Sequence, residues 1–320
     1  MLILNANDIK NCFSNKDALT AVKDACLIQE NGSFNMPDRM HIEDDNNTFL
    51  LMPALTNDYS STKLVSVFPD NPKINEPLIY SSVILNDGNT GKPLALINGS
   101  TLTKLRTAAV GSLGIEYTTP KGIETLGLIG AGVQGIQQII SACEVRAIKE
   151  VFIYDPYTRN LADVINKLKN QLPGVGFSIA SDSTNLLSNS ECIIAATTSN
   201  IPVLPDEVSL LQGRHYIGIG SFRPDMREFP DALFSLLSEV IIDTDLAKKE
   251  TGDLGIPIER NLISNEQIFR LGQIINKEKQ IDTGKTTFFK SVGMALFDLV
   301  TAKMIYENAI EDGIGTEVGF

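Results

Sequence analysis

The pattern of hydrophobic and polar residues changes character near residue 119. Before that point, a helical pattern over residues 16–31 is followed by short segments in which hydrophobic and polar residues alternate. These segments are Thr48–Pro53, Thr62–Phe68 and Ser81–Asn86. Because alternation with period two is typical of strands with one buried face, the first part of the chain is predicted to be an α+β unit with an antiparallel sheet.

Residues 123–281 have a different pattern, in which short apolar runs alternate with helical segments. The runs are Leu126–Ile129, Val151–Tyr154, Phe177–Ala180, Cys192–Ala196, His215–Ile219 and Val240–Asp243. This alternation predicts a parallel sheet with helices on both faces. The last apolar segment, Val292–Ala309, has helical spacing. The Thr/Phe-rich stretch before it could return the chain to the first part, and the tail after Glu311 is expected to be loose.

A glycine turn lies between the first two apolar runs. Gly130, Gly132 and Gly135 follow one run and open a helix, and Asp155 ends the next run. This is the G-x-G-x-x-G arrangement of a dinucleotide-binding unit, in which the glycines allow a sharp turn, approach of the pyrophosphate and close packing of helix on strand. The N–H groups at the helix N-terminus would bind the phosphates, so the pattern predicts a bound dinucleotide.

Two residues bear on the choice of cofactor. A carboxylate at Asp155 can accept hydrogen bonds from the ribose hydroxyls and would repel a 2′-phosphate, which favours NAD. Arg159 lies four residues later and could shield such a phosphate, so NADP is the alternative. A glycine turn in a βαβ unit that binds no ligand is the structural alternative to both.

Composition and charge narrow the class of protein. A chain of 320 residues with 43 % hydrophobic content predicts two folded domains. The net charge of −12, without a Lys/Arg cluster, argues against nucleic acid and anionic membranes as partners. The chain has neither a secretory pattern at its start nor an apolar run long enough to span a bilayer, so a cytoplasmic protein is expected. Four scattered cysteines predict buried thiols, and two separate histidines argue against a zinc site.

Three isolated cations in the first part are candidates for binding a substrate carboxylate: Arg39, Lys63 and Arg106. Arg106 precedes a run of small residues, which predicts that its guanidinium emerges near a helix N-terminus, where anions are favoured. On a strand, Lys63 would share an apolar face, so it either extends to solvent or is desolvated for function; periodicity alone favours extension to solvent. Arg39 could equally pair with Asp38 in a surface loop.

Five stretches, in order along the chain, resemble the ornithine cyclodeaminase/mu-crystallin family. They are Leu51–Pro53, Thr90–Ala95, Leu102–Ala109, the turn at Gly130 and Phe289–Gly293. The resemblance covers nearly the whole chain. It implies an α/β fold in which a Rossmann-type, doubly wound parallel-sheet domain that binds NAD(P), residues 119–289, is inserted into an α+β substrate-binding and dimerisation domain, residues 1–118 plus 290–320. A homodimer is the assembly that the family implies.

The resemblance also implies roles for individual residues. Arg39, Lys63 and Arg106 correspond to the family's substrate-carboxylate cluster, which replaces the solvent-exposed interpretation of Lys63. Val292 and Gly293 correspond to the wall that faces the substrate. Together with the glycine turn, the predicted cofactor contacts are Gly130, Gly132, Val133, Gln134, Gly135, Asp155, Arg159, Thr197, Ile219 and Ser291.

Two departures from the family pattern bear on the reaction. The cyclodeaminase branch has a glutamate that holds the distal amine of ornithine, and this chain has Leu50 there. That branch and the alanine dehydrogenase branch have a catalytic aspartate where this chain has Phe222. A distal ammonium without a charged partner would cost roughly several kcal/mol. The stretch Ser221–Glu228 instead resembles the imine-reducing branch of the family.

These features predict an NAD(P)H-dependent reductase of small cyclic imino acids. The leading substrate is Δ1-pyrroline-2-carboxylate, which gives L-proline, followed by piperideine-2-carboxylate, which gives pipecolate. The three cations would bind the carboxylate, and Lys63 could also donate a proton or hydrogen bond to the imine nitrogen. The predicted apolar lining is Leu50, Met52, Phe222 and Val292. Alternatives are ornithine cyclodeaminase itself, an alanine-type amino-acid dehydrogenase, and a non-enzymatic binding protein similar to mu-crystallin.

Overall fold

The computed structural model describes residues 1–319 and divides the chain into two compact units. The first unit is Met1–Arg106 together with the residues from Met294 onwards, and the second is Thr107–Gly293. This division falls inside a helix, whereas the sequence analysis places the boundary after residue 118. The roles given to the two parts, substrate binding with dimerisation and cofactor binding, stay predictions.

The elements are as follows. The strands are β1 (Leu2–Leu4), β2 (Met40–Asp44), β3 (Asn47–Leu55), β4 (Tyr59–Val67), β5 (Ile79–Asp87), β6 (Pro93–Asn98), β7 (Thr125–Ile129), β8 (Glu150–Tyr154), β9 (Gly176–Ile179), β10 (Cys192–Ala195), β11 (His215–Gly218), β12 (Val240–Ile242), β13 (Ile268–Arg270), β14 (Thr287–Lys290) and β15 (Thr316–Glu317). The α-helices are α1 (Ala6–Cys12), α2 (Asn15–Asn31), α3 (Gly99–Thr118), α4 (Val133–Val145), α5 (Leu161–Gln171), α6 (Ser183–Asn189), α7 (Val208–Leu211), α8 (Asp231–Phe234), α9 (Ala247–Glu250), α10 (Gly252–Glu259), α11 (Leu271–Ile275) and α12 (Ala295–Asp312). Short 3-10 helices cover Asn71–Ile74 and Asn265–Gln267.

The first unit contains a seven-stranded sheet in the order β15-β1-β6-β5-β4-β3-β2. The strands β2 to β6 pair antiparallel, as predicted, whereas β1 pairs in parallel with β6. The expectation of a loose tail is wrong, because Gly313 ends α12 in a left-handed conformation (φ 65°) and β15 then pairs with β1. Because β1 and β6 are parallel, the sheet is mixed rather than purely antiparallel.

One face of this sheet is covered by α12, which packs against β3, β4 and β5 and against α2. The helix α2 begins in a capping box, in which the side chains of Ser14 and Asp17 each accept the other residue's backbone N–H. The strand register aligns Met52, Lys63 and Val83 in one row on the buried face. Lys63 is thus built into the core of the first unit.

The second unit contains an eight-stranded sheet in the order β13-β12-β14-β11-β10-β7-β8-β9, and every pair is parallel. The strand β7 has β8 on one side and β10 on the other. Ligands of doubly wound sheets bind at the carboxyl ends of the strands at such a reversal. Strands buried on both faces explain the continuous apolar runs in the sequence.

All six strands predicted for this sheet are present, and two further strands were not predicted. The Thr/Phe-rich stretch forms β14, which lies between β11 and β12. The expectation that this stretch returns the chain to the first part is therefore wrong, because the return begins only at Met294. In residues 1–319, no helix is long and apolar enough to cross a membrane.

Candidate active site

The turn between β7 and α4 has the shape that a dinucleotide requires. Gly130 has a φ of 93°, which side chains rarely adopt, and a Cβ on Gly135 would lie 2.0 Å from the Gly130 carbonyl oxygen. Gly132 faces open space, with no atom within 4 Å of a Cβ built on it. Because no side chain caps α4, the N–H groups of Val133 and Gln134 in its first turn can meet a phosphate. These residues fit a pyrophosphate group.

Asp155 follows β8 and reaches back to the glycine turn. Its carboxylate accepts hydrogen bonds from the N–H groups of Ala131 (2.8 Å), Tyr157 (2.9 Å) and Thr158 (3.0 Å), and from the Thr158 hydroxyl (2.8 Å). Burial raises the pKa of Asp155, but these hydrogen bonds outweigh it and hold the pKa below its usual value. A fixed negative charge therefore lies beside the turn, while Arg159 is exposed.

A cavity of about 670 Å³ lies along this edge of the sheet, within the second unit. Its volume is in the range of pockets that bind small ligands. Residues from the ends of three strands line it, among them Gly130, Gly132, Asp155, Tyr157, Thr197 and Ile201. The cavity thus brings together the glycine turn, the acid after β8 and one predicted contact after β10.

Three predicted cofactor contacts directly follow strands of the same sheet. Thr197 lies after β10, Ile219 after β11 and Ser291 after β14. The carboxyl ends of parallel strands meet at one edge of a sheet, so all three belong to the edge where the glycine turn lies. Thr197 donates its N–H and its hydroxyl to the Glu228 carboxylate.

Asp243, at the end of β12, orders the segment that follows β14. Its Oδ2 accepts the hydroxyl of Ser291 (2.7 Å) and the N–H groups of Val292 (3.1 Å) and Gly293 (2.7 Å). The loop after β11 is more open, and Phe222 in it is 46 % exposed. In the first unit, Leu50 is half-buried and Met52 is buried on β3. The joint role of these residues around a substrate stays a prediction.

Lys63 and Arg106 share one buried carboxylate in the first unit. Lys63 Nζ lies 2.7 Å from Asp298 Oδ2, and Arg106 Nε lies 3.0 Å from Asp298 Oδ1; their side chains are 2 %, 7 % and 0 % exposed. The interpretation of Lys63 as extending to solvent is therefore wrong, since α12 covers this face of β4. Arg106 is also not near a helix N-terminus, because α3 begins at Gly99 and places it well inside the helix.

The cluster carries more positive than negative charge. Burial lowers the pKa of Lys63 most, the charges of Arg106 and Arg39 lower it further, Asp298 opposes this, and the result is about 8. Arg39, half-buried just before β2, is thus close enough to act on Lys63. Lys63 and Arg106 share one carboxylate, which leaves a formal excess of one positive charge when Lys63 is protonated, and a bound anion would stabilise this charge. The cluster fits a carboxylate ligand.

Sequence reasoning gave no role to three buried acids that organise these sites. Glu228, Asp243 and Asp298 are all fully buried. A signal for Asp298 was present, because it is a lone acid in the apolar first half of α12. Glu228 and Asp243 lie in loops and at strand ends, where acids are common, so no comparable signal marks them.

Among residues 1–319, no group of His, Cys, Asp and Glu side chains could hold a metal ion. All four cysteines are free thiols; Cys12, Cys26 and Cys192 are buried and Cys143 is partly buried. His215 is buried against Thr287, with 2.9 Å between its Nδ1 and the threonine hydroxyl. The three buried cysteines and His215 are therefore parts of the core.

The sequence model of the ornithine cyclodeaminase/mu-crystallin family matches residues 1–313. The chain belongs to this family. Within the family, it is 32 % identical to the Δ1-pyrroline-2-carboxylate reductase of Bacillus cereus, over 100 % of both chains. The predicted family is therefore confirmed.

Two solved structures match the fold over nearly the whole chain. One is Thermococcus litoralis Δ1-pyrroline-2-carboxylate reductase in complex with NADH and L-proline, with a TM-score of 0.92, 32 % identity and coverage of 99 % of this chain and 100 % of that chain. The other is an archaeal alanine dehydrogenase dimer with bound NAD, with a TM-score of 0.92, 27 % identity and coverage of 100 % and 99 %. The predicted α/β fold with a parallel nucleotide-binding sheet is confirmed.

Proposed function

We propose that this protein is an NAD(P)H-dependent reductase of small cyclic imino acids, with Δ1-pyrroline-2-carboxylate as the first candidate substrate and L-proline as its product. The buried cation cluster carries the proposal, because its excess charge calls for a carboxylate ligand. The relatives from Bacillus cereus and Thermococcus litoralis, which are reductases of this imine, support the choice of substrate. Piperideine-2-carboxylate is the second candidate, since it differs only in ring size.

The cofactor in this proposal is NAD(H). The open turn at Gly132 and the uncapped start of α4 fit its pyrophosphate. Solved relatives hold NADH or NAD, which supports the same cofactor here. When bound, the dinucleotide supplies the hydride. The proposed contacts after the strands are Thr197, Ile219 and Ser291.

The chain's own residues then have distinct roles. Arg39 and Arg106 bind the substrate carboxylate, and Lys63 holds a proton near the imine nitrogen. Burial raises the pKa of Asp298, but Arg106 and Lys63 outweigh it and keep this carboxyl ionised, so that it can hold both cations in place. With a pKa of about 8, Lys63 is mostly protonated at neutral pH and can still give up its proton. The proposed apolar lining that excludes water is Leu50, Met52, Phe222 and Val292, and Gly293 is the proposed neighbour of Val292 in the wall that faces the substrate.

A homodimer in the cytoplasm completes the proposal. The face of the first unit's sheet opposite Lys63 exposes apolar side chains, and those more than a third exposed include Met40, Ile42, Leu64, Tyr80 and Ile84. The strand register places Met40, Leu51 and Leu64 in one row of that face. An uncovered apolar face of this kind is typical of a protein interface. The dimeric archaeal alanine dehydrogenase supports a second copy of the chain as the partner.

The proposal is tested by NADH oxidation with Δ1-pyrroline-2-carboxylate, beside proline formation from L-ornithine with NAD. We expect rapid imine reduction and no turnover of ornithine, because Leu50 and Phe222 give a distal ammonium no charged partner. Proline and ammonia from ornithine would instead identify a cyclodeaminase. L-Alanine with NAD, run under the same conditions, tests the dehydrogenase alternative.

Replacing Asp155 by Ser is expected to relax the choice of cofactor. The substitution removes the negative charge beside the glycine turn, so the ratio of kcat/KM for NADPH to that for NADH should rise by about tenfold or more. Asp155→Asn keeps the size of the side chain and separates charge from shape. If both variants keep the wild-type preference between NADH and NADPH, Arg159 or another group must determine it.

A further inference from the structure

Three charged side chains lie buried together at the carboxyl end of β14, in the second unit. Lys290 Nζ is 3.1 Å from an Asp253 oxygen and 3.8 Å from a Glu228 oxygen, and none of the three side chains is exposed. Two carboxylates around one ammonium are costly to bury unless further hydrogen bonds satisfy them. Here Glu228 and one oxygen of Asp253 accept such hydrogen bonds, most of them from backbone N–H groups.

Glu228 joins the ends of two strands. One carboxylate oxygen accepts the N–H (2.7 Å) and the hydroxyl (2.9 Å) of Thr197, just after β10. The other accepts the N–H groups of Gly220 (2.8 Å) and Ser221 (3.0 Å), just after β11. The four donors come from two loops, so this one carboxylate ties the two loops together.

The position of Glu228 is itself fixed. An Asp253 oxygen accepts the N–H groups of Glu228 (2.7 Å) and Phe229 (3.1 Å). The loops pack tightly around the carboxylate. A Cβ on Gly220 would lie 2.1 Å from the Thr197 carbonyl oxygen and 2.5 Å from a Glu228 oxygen. Glu228 is therefore packed closely against both loops.

We propose that Glu228 is a positioning residue for the nicotinamide cofactor. Its carboxylate sets the loop that carries Thr197 and the strand end that carries Ile219 in the arrangement that binds the dinucleotide. Lys290 and Asp253 hold the carboxylate in place. The inference rests on the proposed function, because Thr197 and Ile219 act on a cofactor only if the second unit binds NAD(H).

Glu228→Gln tests the inference while keeping the size of the side chain. The new NH₂ group faces two N–H or O–H donors, so one of the two loops loses its acceptor. We expect the NADH dissociation constant, measured by fluorescence titration without substrate, to rise by about tenfold or more. Hydrogen exchange of the Thr197, Gly220 and Ser221 amides should accelerate in the free protein. Glu228→Asp keeps the charge but withdraws it by one methylene, and should weaken NADH binding as well.

Asp231→Asn is the matched control. Asp231 pairs with Arg227 and, at 2.7 Å, with Arg260, and it lies three residues after Glu228. This variant should lower Tm without changing the NADH dissociation constant by more than about twofold. If Glu228→Gln and Glu228→Asp bind NADH as tightly as the wild type, the inference is wrong; if Glu228→Gln does not fold, Glu228→Asp decides. If the wild-type protein itself binds no NADH, the proposed function is wrong, and this result is distinct from a failure of the inference about Glu228.

Discussion

Replacing Arg106 by Ala is expected to lower kcat/KM for Δ1-pyrroline-2-carboxylate at least about thirtyfold, mainly through KM. Asp298 holds Arg106 Nε at 3.0 Å and thereby fixes the plane of the guanidinium. Loss of a buried, charge-assisted contact to the substrate carboxylate costs about 2–5 kcal/mol. Steady-state kinetics at saturating NADH measure the effect.

Arg106→Lys is the control for charge alone. It keeps the cation but removes the planar fork, so it should fall between the wild type and Arg106→Ala. Because Arg106 also pairs with Asp298, the Tm of each variant must be measured to separate unfolding from lost binding. Near-wild-type kinetics for a folded Arg106→Ala protein would show that the substrate carboxylate binds elsewhere.

Replacing Lys63 by Met is expected to lower kcat about 10²- to 10⁴-fold, which is the usual contribution of general acid catalysis. Methionine occupies similar volume in the buried row between Met52 and Val83, so the packing is largely kept. Arg106 still compensates Asp298 in this variant. Stopped-flow measurement of NADH oxidation separates the chemical step from product release.

The titration of Lys63 is expected to make kcat/KM depend on pH. Because the pKa of Lys63 is about 8, its protonated form prevails below that pH, and kcat/KM should fall as the pH rises through this value. A bound carboxylate raises the pKa of Lys63, so the fall in kcat should occur at higher pH than the fall in kcat/KM. Lys63→Arg stays charged throughout, and any activity it retains should lack this fall. A decline at the same pH in Lys63→Arg would assign the titration to another group, such as the imine nitrogen.

Sequence reasoning predicted the glycine turn and the acid beside it, because the signals are local. The turn at Gly130 and the acid at Asp155 lie within 30 residues, on consecutive strands of one βαβ unit. Apolar runs also predicted six strands of the parallel sheet, since strands buried on both faces need continuous apolar sequence. The place of β14 between β11 and β12 was missed, because strand order depends on pairing between distant segments.

The surroundings of Lys63 and Arg106, in contrast, were not predicted from local patterns. Period-two alternation correctly predicted the face of β4 that carries Lys63, but not what covers that face. The small residues after Arg106 indicated a helix, yet the helix begins seven residues earlier, at Gly99. Both errors have one cause. A local pattern shows the periodicity of a segment, but not where its element begins or which distant segment packs against it.

By itself, then, the sequence determined the two-part architecture and the dinucleotide turn. Each depends on residue types at short spacing, where backbone sterics and side-chain chemistry act directly. Only the tertiary structure decided that Lys63 is desolvated and that Asp298 is its partner, 235 positions away along the chain. Burial and charge pairing arise from packing between distant segments, and packing is what moves the pKa of Lys63 to about 8.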